Sequence, residues 1–136
     1  MAPERARRAL LALLLAATLG IAVELILLDH TEYAVQWVPV VLTFGGAVVV
    51  AWYLFRPEPR GRRAFRVTMA LYALSGVAGL VLHFRGNLEF ELEVRPGAAG
   101  LGLVWAALKG ATPALAPGTM IVLGTLGLIA STLEED

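Results

Sequence analysis

The chain has 136 residues, enough for one small domain, and 58% of them are hydrophobic, with a mean hydropathy of +0.73. A soluble domain of this size has too little interior to hide so much apolar surface, so these numbers imply lipid as the solvent. A formal net charge of zero offers no global field for nucleic acid, and the lack of cysteine removes disulfides, thiolate nucleophiles, zinc–thiolate sites and cysteine-held iron–sulfur clusters.

A membrane-spanning helix needs about 20 mostly apolar residues. The first candidate runs from Ala9 to Leu28 and is interrupted only by Glu24. Arg5, Arg7 and Arg8 precede it and could serve as the basic start of a signal peptide. The apolar run is long for that role, however, and it ends in Leu27-Leu28-Asp29-His30 with no small-residue cleavage pattern, so a retained helix is expected. Ala12, Ala16, Gly20 and Glu24 recur every fourth residue and share one face. Small residues on a face permit close helix contact in lipid, so Ala16 and Gly20 are expected at a packing groove.

After the short connection Asp29-His30-Thr31-Glu32, Trp37 to Phe55 forms an uncharged second span containing Gly45-Gly46. Arg56, Arg60, Arg62, Arg63 and Arg66 fill the next connection. Val67 to Phe84 is the third span, with a second small-residue row, Ser75 and Gly79, ending at His83. Basic residues mark the cytoplasmic ends of spans. The arginines before the first span and between the second and third therefore place both termini of a four-span chain in the cytoplasm. Trp37, Trp52, Tyr53 and Trp105 fall near expected interfaces, as membrane anchors do.

Residues 85–112 form a long outer connection. Within it Leu88, Phe90, Leu92 and Val94 alternate with Glu89, Glu91 and Glu93, which predicts an extended segment with one apolar face. Arg95-Pro96-Gly97 reads as a turn. A lone strand is not stable by itself. This one needs a partner, either Tyr33-Ala34-Val35-Gln36 or another protein by strand addition. Ala98 to Gly110 is apolar, carries Trp105 and Lys109, and is too short to span, so an interfacial or re-entrant helix is expected. The last span covers about 113–133, with Pro113 and Pro117-Gly118 near its start.

The expected fold is thus an all-α integral membrane protein. It is a single four-transmembrane-helix bundle over 1–136, with spans at about 9–28, 37–55, 67–84 and 113–133. A short extracytoplasmic extended segment and an interfacial helix precede the last span.

No catalytic motif is present. Ser75 and Ser131 lie in no nucleophile motif, there is no phosphate-binding glycine loop and no HExxH, and Gly100 and Gly102 do not make a dinucleotide fingerprint. Polar residues at mid-membrane depth are few, which disfavours an autonomous transporter. The expected function is therefore that of a non-catalytic membrane subunit that docks onto or stabilises a larger membrane protein complex through Leu88, Phe90, Leu92, Val94 and Trp105. Other membrane subunits, membrane lipid and further copies of the chain are the expected partners. No cofactor and no nucleic acid is called for.

Two other functions compete. Glu24, His83, His30, Glu89 and Glu91 supply oxygen and imidazole donors of the kind divalent cations take, so a cation-binding or translocating protein is the first alternative. An acidic residue at mid-helix costs roughly 2.5–3.5 kcal/mol on insertion scales, so Glu24 calls for a compensating partner. A lipid- or pigment-binding protein is the second alternative, with His30 and His83 near the outer ends of helices as candidate axial ligands to haem or a chlorophyll-type pigment. The abundance of Ala, Gly, Leu, Val and Arg suggests a GC-rich bacterial genome and hence the bacterial inner membrane.

Overall fold

The computed structural model describes residues 2–112 and 117–133. Their helices are α1 (Ala2–Leu27), α2 (Trp37–Phe55), α3 (Pro59–Val94), α4 (Gly100–Leu108) and α5 (Gly118–Thr132), with a 3-10 turn at Ala34–Gln36 leading into α2. There is no strand among the described residues. Three helical stretches, Glu4–Leu27, Ala34–Phe55 and Pro59–Val94, are long and apolar enough to cross a membrane. The fourth apolar helix, α5, has 15 residues. At 1.5 Å per residue it is about 22 Å long, short of the roughly 30 Å of a hydrocarbon core. Four helices of this kind are compatible with a helical membrane bundle. Of the expected last span, residues 113–116 lie outside the described residues.

The packed residues fall into two groups, 1–73 with 122–136 and 74–121. In the first group α1 and α2 form a helical hairpin. The buried row on α1 is Arg7, Leu11, Leu14, Thr18 and Ala22, spaced four, three, four and four apart. The matching row on α2 is Val40, Thr43, Ala47, Val50 and Tyr53. Both follow the three-and-four spacing that aligns side chains on one helix face.

The connection between α1 and α2 is a Schellman-type stop. Asp29 adopts a left-handed φ of 50°, Asp29 N–H donates to Ile26 O at 3.1 Å, and His30 N–H donates to Leu25 O at 2.9 Å. Gln36 Oε1 then accepts from Tyr33 N–H, and Trp37 Nε1 donates to Thr31 O at 3.0 Å, which fixes the entry into α2. At the other end α2 stops at Phe55. Pro57 disfavours helical backbone at Arg56, and Pro59 suits the first turn of α3.

Lipid offers helices little hydrophobic reason to associate, so close approach and polar contacts hold such a group together. Tyr72, fully buried on α3, shows both. Its hydroxyl reaches Thr43 O at 3.5 Å and lies against the Thr18 hydroxyl without the geometry of a hydrogen bond. The room for it comes from Gly46, where a Cβ would stand 1.9 Å from the Tyr72 oxygen. Near the same level of α3, a Cβ on Gly124 would lie 2.4 Å from Met69 O and 2.7 Å from Ala73 N. The backbones of α3 and α5 are therefore in direct contact there.

In the second group, Pro117 and Ile121 at the start of α5 pack on Gly76 and Gly79 of α3. Gly79 lies five residues, about 7 Å, inside Phe84, so α5 begins well below the end of the uncharged stretch of α3.

The structure corrects the expected extended segment. Residues 86–94 are helical, and α3 runs without a break for 36 residues, about 54 Å. Two causes are visible. Extending a formed helix adds one residue at a time with no new nucleation cost, and no strand among the described residues is available for pairing. The glutamates that suggested a solvated strand face instead serve the helix. Glu89 accepts from Arg85 at 2.8 Å, and Glu91 pairs with Arg95, both at the i, i+4 spacing.

Small residues also pack differently from expectation. Ala16 and Gly20 lie on the exposed side of α1, and the helix packs within the chain by the neighbouring row. On α3, Ser75 is half-buried, and Gly76 joins Gly79 in the close approach.

Candidate docking surface

The best-defined polar constellation surrounds Asn87, a carboxamide buried on a helix. Asn87 Nδ2 donates to Ala107 O at 2.9 Å and to Thr112 O at 2.6 Å, and Oδ1 accepts from Thr112 N–H at 3.2 Å. Ala107 O is one of the last carbonyls of α4, which lack partners within the helix. Gly110 lies against the same side chain, where a Cβ would be 2.4 Å from Asn87 Cγ. Asn87 thus pins the C-terminal end of α4 and the following turn to α3.

The return path of the chain sets the direction of α4. Helix α3 stops before Pro96, and Ala98 N–H donates to Arg95 O in the turn that follows. Gly100 takes a φ of 66°, a left-handed conformation that glycine reaches without a steric penalty. A link of five residues spans at most about 17 Å, so α4 runs back along the last turns of α3 as the second arm of a helical hairpin. Half-buried Leu88 and Glu91 and buried Asn87 face inward from α3, as do Leu103, Ala106 and Ala107 from α4.

The outward face of α4 is apolar. Leu101, Val104, Trp105 and Leu108 occupy positions i, i+3, i+4 and i+7, one stripe along the helix, and all are exposed; Leu101 is 87% and Trp105 63% exposed. Lys109 lies 5.9 Å over the Trp105 ring. Phe90, Leu92 and Val94 add exposed apolar area on α3.

The length of α3 gives this exposure its meaning. Its uncharged stretch, Val67–Phe84, is about 27 Å long and is bounded by Arg66 and Arg85. That matches the roughly 30 Å of a hydrocarbon core, beyond which each headgroup layer adds about 5–7 Å. Residues 85–94 extend α3 by about 15 Å, so its tip would stand about 6–8 Å clear of the headgroups if the stretch were centred in a bilayer.

The sequence signals lead to these positions unevenly. Of the expected docking residues, Phe90, Leu92, Val94 and Trp105 are exposed, and Leu88 is half-buried in the hairpin. Leu101, Val104 and Leu108 were missed, although their helical spacing was visible in the sequence. Of the expected polar or metal site, Glu24 is exposed on α1, His30 is half-buried in the α1–α2 connection, and His83 is half-buried on α3. Glu89 and Glu91 are engaged with Arg85 and Arg95. Among the described residues no group of three His, Cys, Asp or Glu side chains is placed to hold a metal ion.

No protein-family model, no curated protein and no solved structure matches the chain.

Proposed function

We propose that the chain is a non-catalytic membrane subunit that docks onto a larger membrane protein complex through the α3–α4 hairpin. The observation that carries this reading is the Leu101–Val104–Trp105–Leu108 stripe. It is an exposed helix face with the i, i+3, i+4, i+7 spacing that helix-in-groove recognition uses, mounted on the part of α3 that is too long for the bilayer. Trp105 is the natural anchor, since aromatic side chains dominate such interfaces. Asn87 supports the reading by fixing α4 to a rigid helix before any partner binds, which lowers the ordering cost of association.

In the same reading α5 supplies the fourth crossing. The arginines at the starts of α1 and α3 then face the cytoplasm and the hairpin faces outward, as in a protein of the bacterial inner membrane.

Affinity purification from native membranes in mild detergent tests the proposal. A second protein should co-purify in fixed stoichiometry with the native chain. It should be lost from the Leu101→Glu/Trp105→Glu variant while helicity and thermal stability are kept. A native chain that runs as a monodisperse monomer with nothing bound overturns the proposal.

A further inference from the structure

The other end of the chain carries a second surface, independent of the hairpin. Arg7 is buried with its guanidinium 5.5 Å over the Tyr53 ring, and Tyr53 stacks on Phe65 with centroids 4.7 Å apart. These contacts gather the start of α1, the end of α2 and the start of α3. With them come eight arginines: Arg5, Arg7, Arg8, Arg56, Arg60, Arg62, Arg63 and Arg66. Among the described residues the acidic side chains of these segments are Glu4 and Glu58. Glu4 holds Arg8 at 2.8 Å, and Glu58 accepts from Trp52 Nε1 at 3.0 Å. Arg5, Arg56, Arg60 and Arg63 are exposed. Beside them stand Trp52, partly exposed, and Phe55, strongly exposed, both at the end of an apolar helix.

We propose that this arginine end binds the phosphate headgroups of anionic phospholipids. Charge complementarity supports the assignment, because a concentrated cationic surface at the mouth of apolar helices meets a lipid leaflet before it meets anything else. Side-chain chemistry supports it too. The planar guanidinium fork presents paired donors to phosphate oxygens, and all eight basic residues here are arginine although lysine would carry the same charge. Trp52 and Phe55 supply the amphipathic and apolar groups that sit at headgroup level and against acyl chains.

The test uses the full chain in a neutral detergent, titrated separately with phosphatidylglycerol, phosphatidylcholine and inorganic phosphate, and followed by native mass spectrometry and thermal melting. Phosphatidylglycerol should stay bound and raise the melting temperature, and both effects should fade at high salt. Phosphatidylcholine should do neither. The R56Q/R60Q/R63Q variant should lose about tenfold to a hundredfold in apparent affinity for phosphatidylglycerol. R85Q, at the opposite end of α3, should keep the native response and serves as the folding control. If the triple variant does not fold, R60Q and R63Q are measured singly for the same direction of change. Equal responses to the two lipids, an unchanged response in folded arginine variants, or an equal loss in R85Q overturns the proposal. An effect of inorganic phosphate matching that of phosphatidylglycerol assigns the surface to free anions and overturns the lipid source.

Discussion

Asn87 grips Thr112 by both ends of its carboxamide, with Nδ2 donating to the Thr112 carbonyl and Oδ1 accepting from the Thr112 N–H. The same amide nitrogen also serves Ala107 O, so one side chain satisfies three backbone groups at the base of α4. Asn87→Leu preserves bulk but removes all three bonds, leaving Ala107 O only its 3.3 Å contact with Gly110 N–H. A hydrogen bond of this kind contributes about 0.5–1.5 kcal/mol net, so the hairpin should lose about 1–3 kcal/mol of local stability. Amide exchange over residues 100–112 should accelerate and trypsin should reach Lys109 sooner, while the amides around Val50 and Tyr53 keep their protection. Unchanged exchange in 100–112 would show that α4 holds its place without the clamp.

Two glycines on α5 should respond unequally to the same change. At Gly124 an added methyl meets the backbone of α3 at Met69 O and Ala73 N, neither of which can move without moving the helix. At Gly127 its nearest neighbours are the Sδ and Cγ atoms of Met69, a flexible side chain with other rotamers. Gly124→Ala should therefore destabilise by about 1–3 kcal/mol, the usual range for overpacking, and Gly127→Ala by less. Melts of the two variants in one detergent decide the order, and a reversed order would contradict the backbone contact.

The α1–α2 connection contains a stabilising opportunity. Asp29 holds a left-handed φ of 50° at the position where helices most often place glycine. A side chain in that conformation costs about 1–2 kcal/mol, less for Asp than for most residues. Asp29→Gly should thus gain up to about 1 kcal/mol, and Asp29→Val, β-branched with no polar group to bond locally, should lose more than that. Thermal melts of the pair, with opposite signs expected, check both.

These outcomes depend on features whose legibility in the sequence differed. The bounds of α2 were readable because Arg56-Pro57 ends an uncharged run that Trp37 begins. The tip of α3 was misread because Leu88, Phe90, Leu92 and Val94 fit a period of two. The competing evidence, Arg85 four residues before Glu89 and Glu91 four before Arg95, was present and gave the correct element. The packing face of α1 was not readable for a more basic reason. In lipid both the small row Ala12–Ala16–Gly20 and the larger row Leu11–Leu14–Thr18 are acceptable to the solvent. Hydropathy therefore does not select between them, and the shape of α2 does. Asn87 was overlooked because a lone Asn among glutamates carries no pattern. Its partners are backbone groups of Ala107, 20 residues on, and Thr112, 25 residues on.

The depth of the hairpin is open to direct measurement, since the native chain contains no cysteine and any introduced thiol reports alone. Leu74 and Val81 lie within the uncharged stretch of α3, whereas Val94 lies about 15 Å past Phe84 and Leu101 follows that tip at the start of α4. In liposomes, Val94→Cys and Leu101→Cys should react readily with a membrane-impermeant maleimide. Leu74→Cys and Val81→Cys, both exposed in the isolated chain, should react only after detergent is added. This contrast separates exposure to water from exposure to lipid, which surface area alone does not. Slow labelling at Val94 would place the tip of α3 in lipid and turn the Leu101–Leu108 stripe into a lipid-facing surface. Fast labelling in liposomes combined with slow labelling at Leu101 in native membranes is the pattern a docked partner produces, because the partner is present only in the second case.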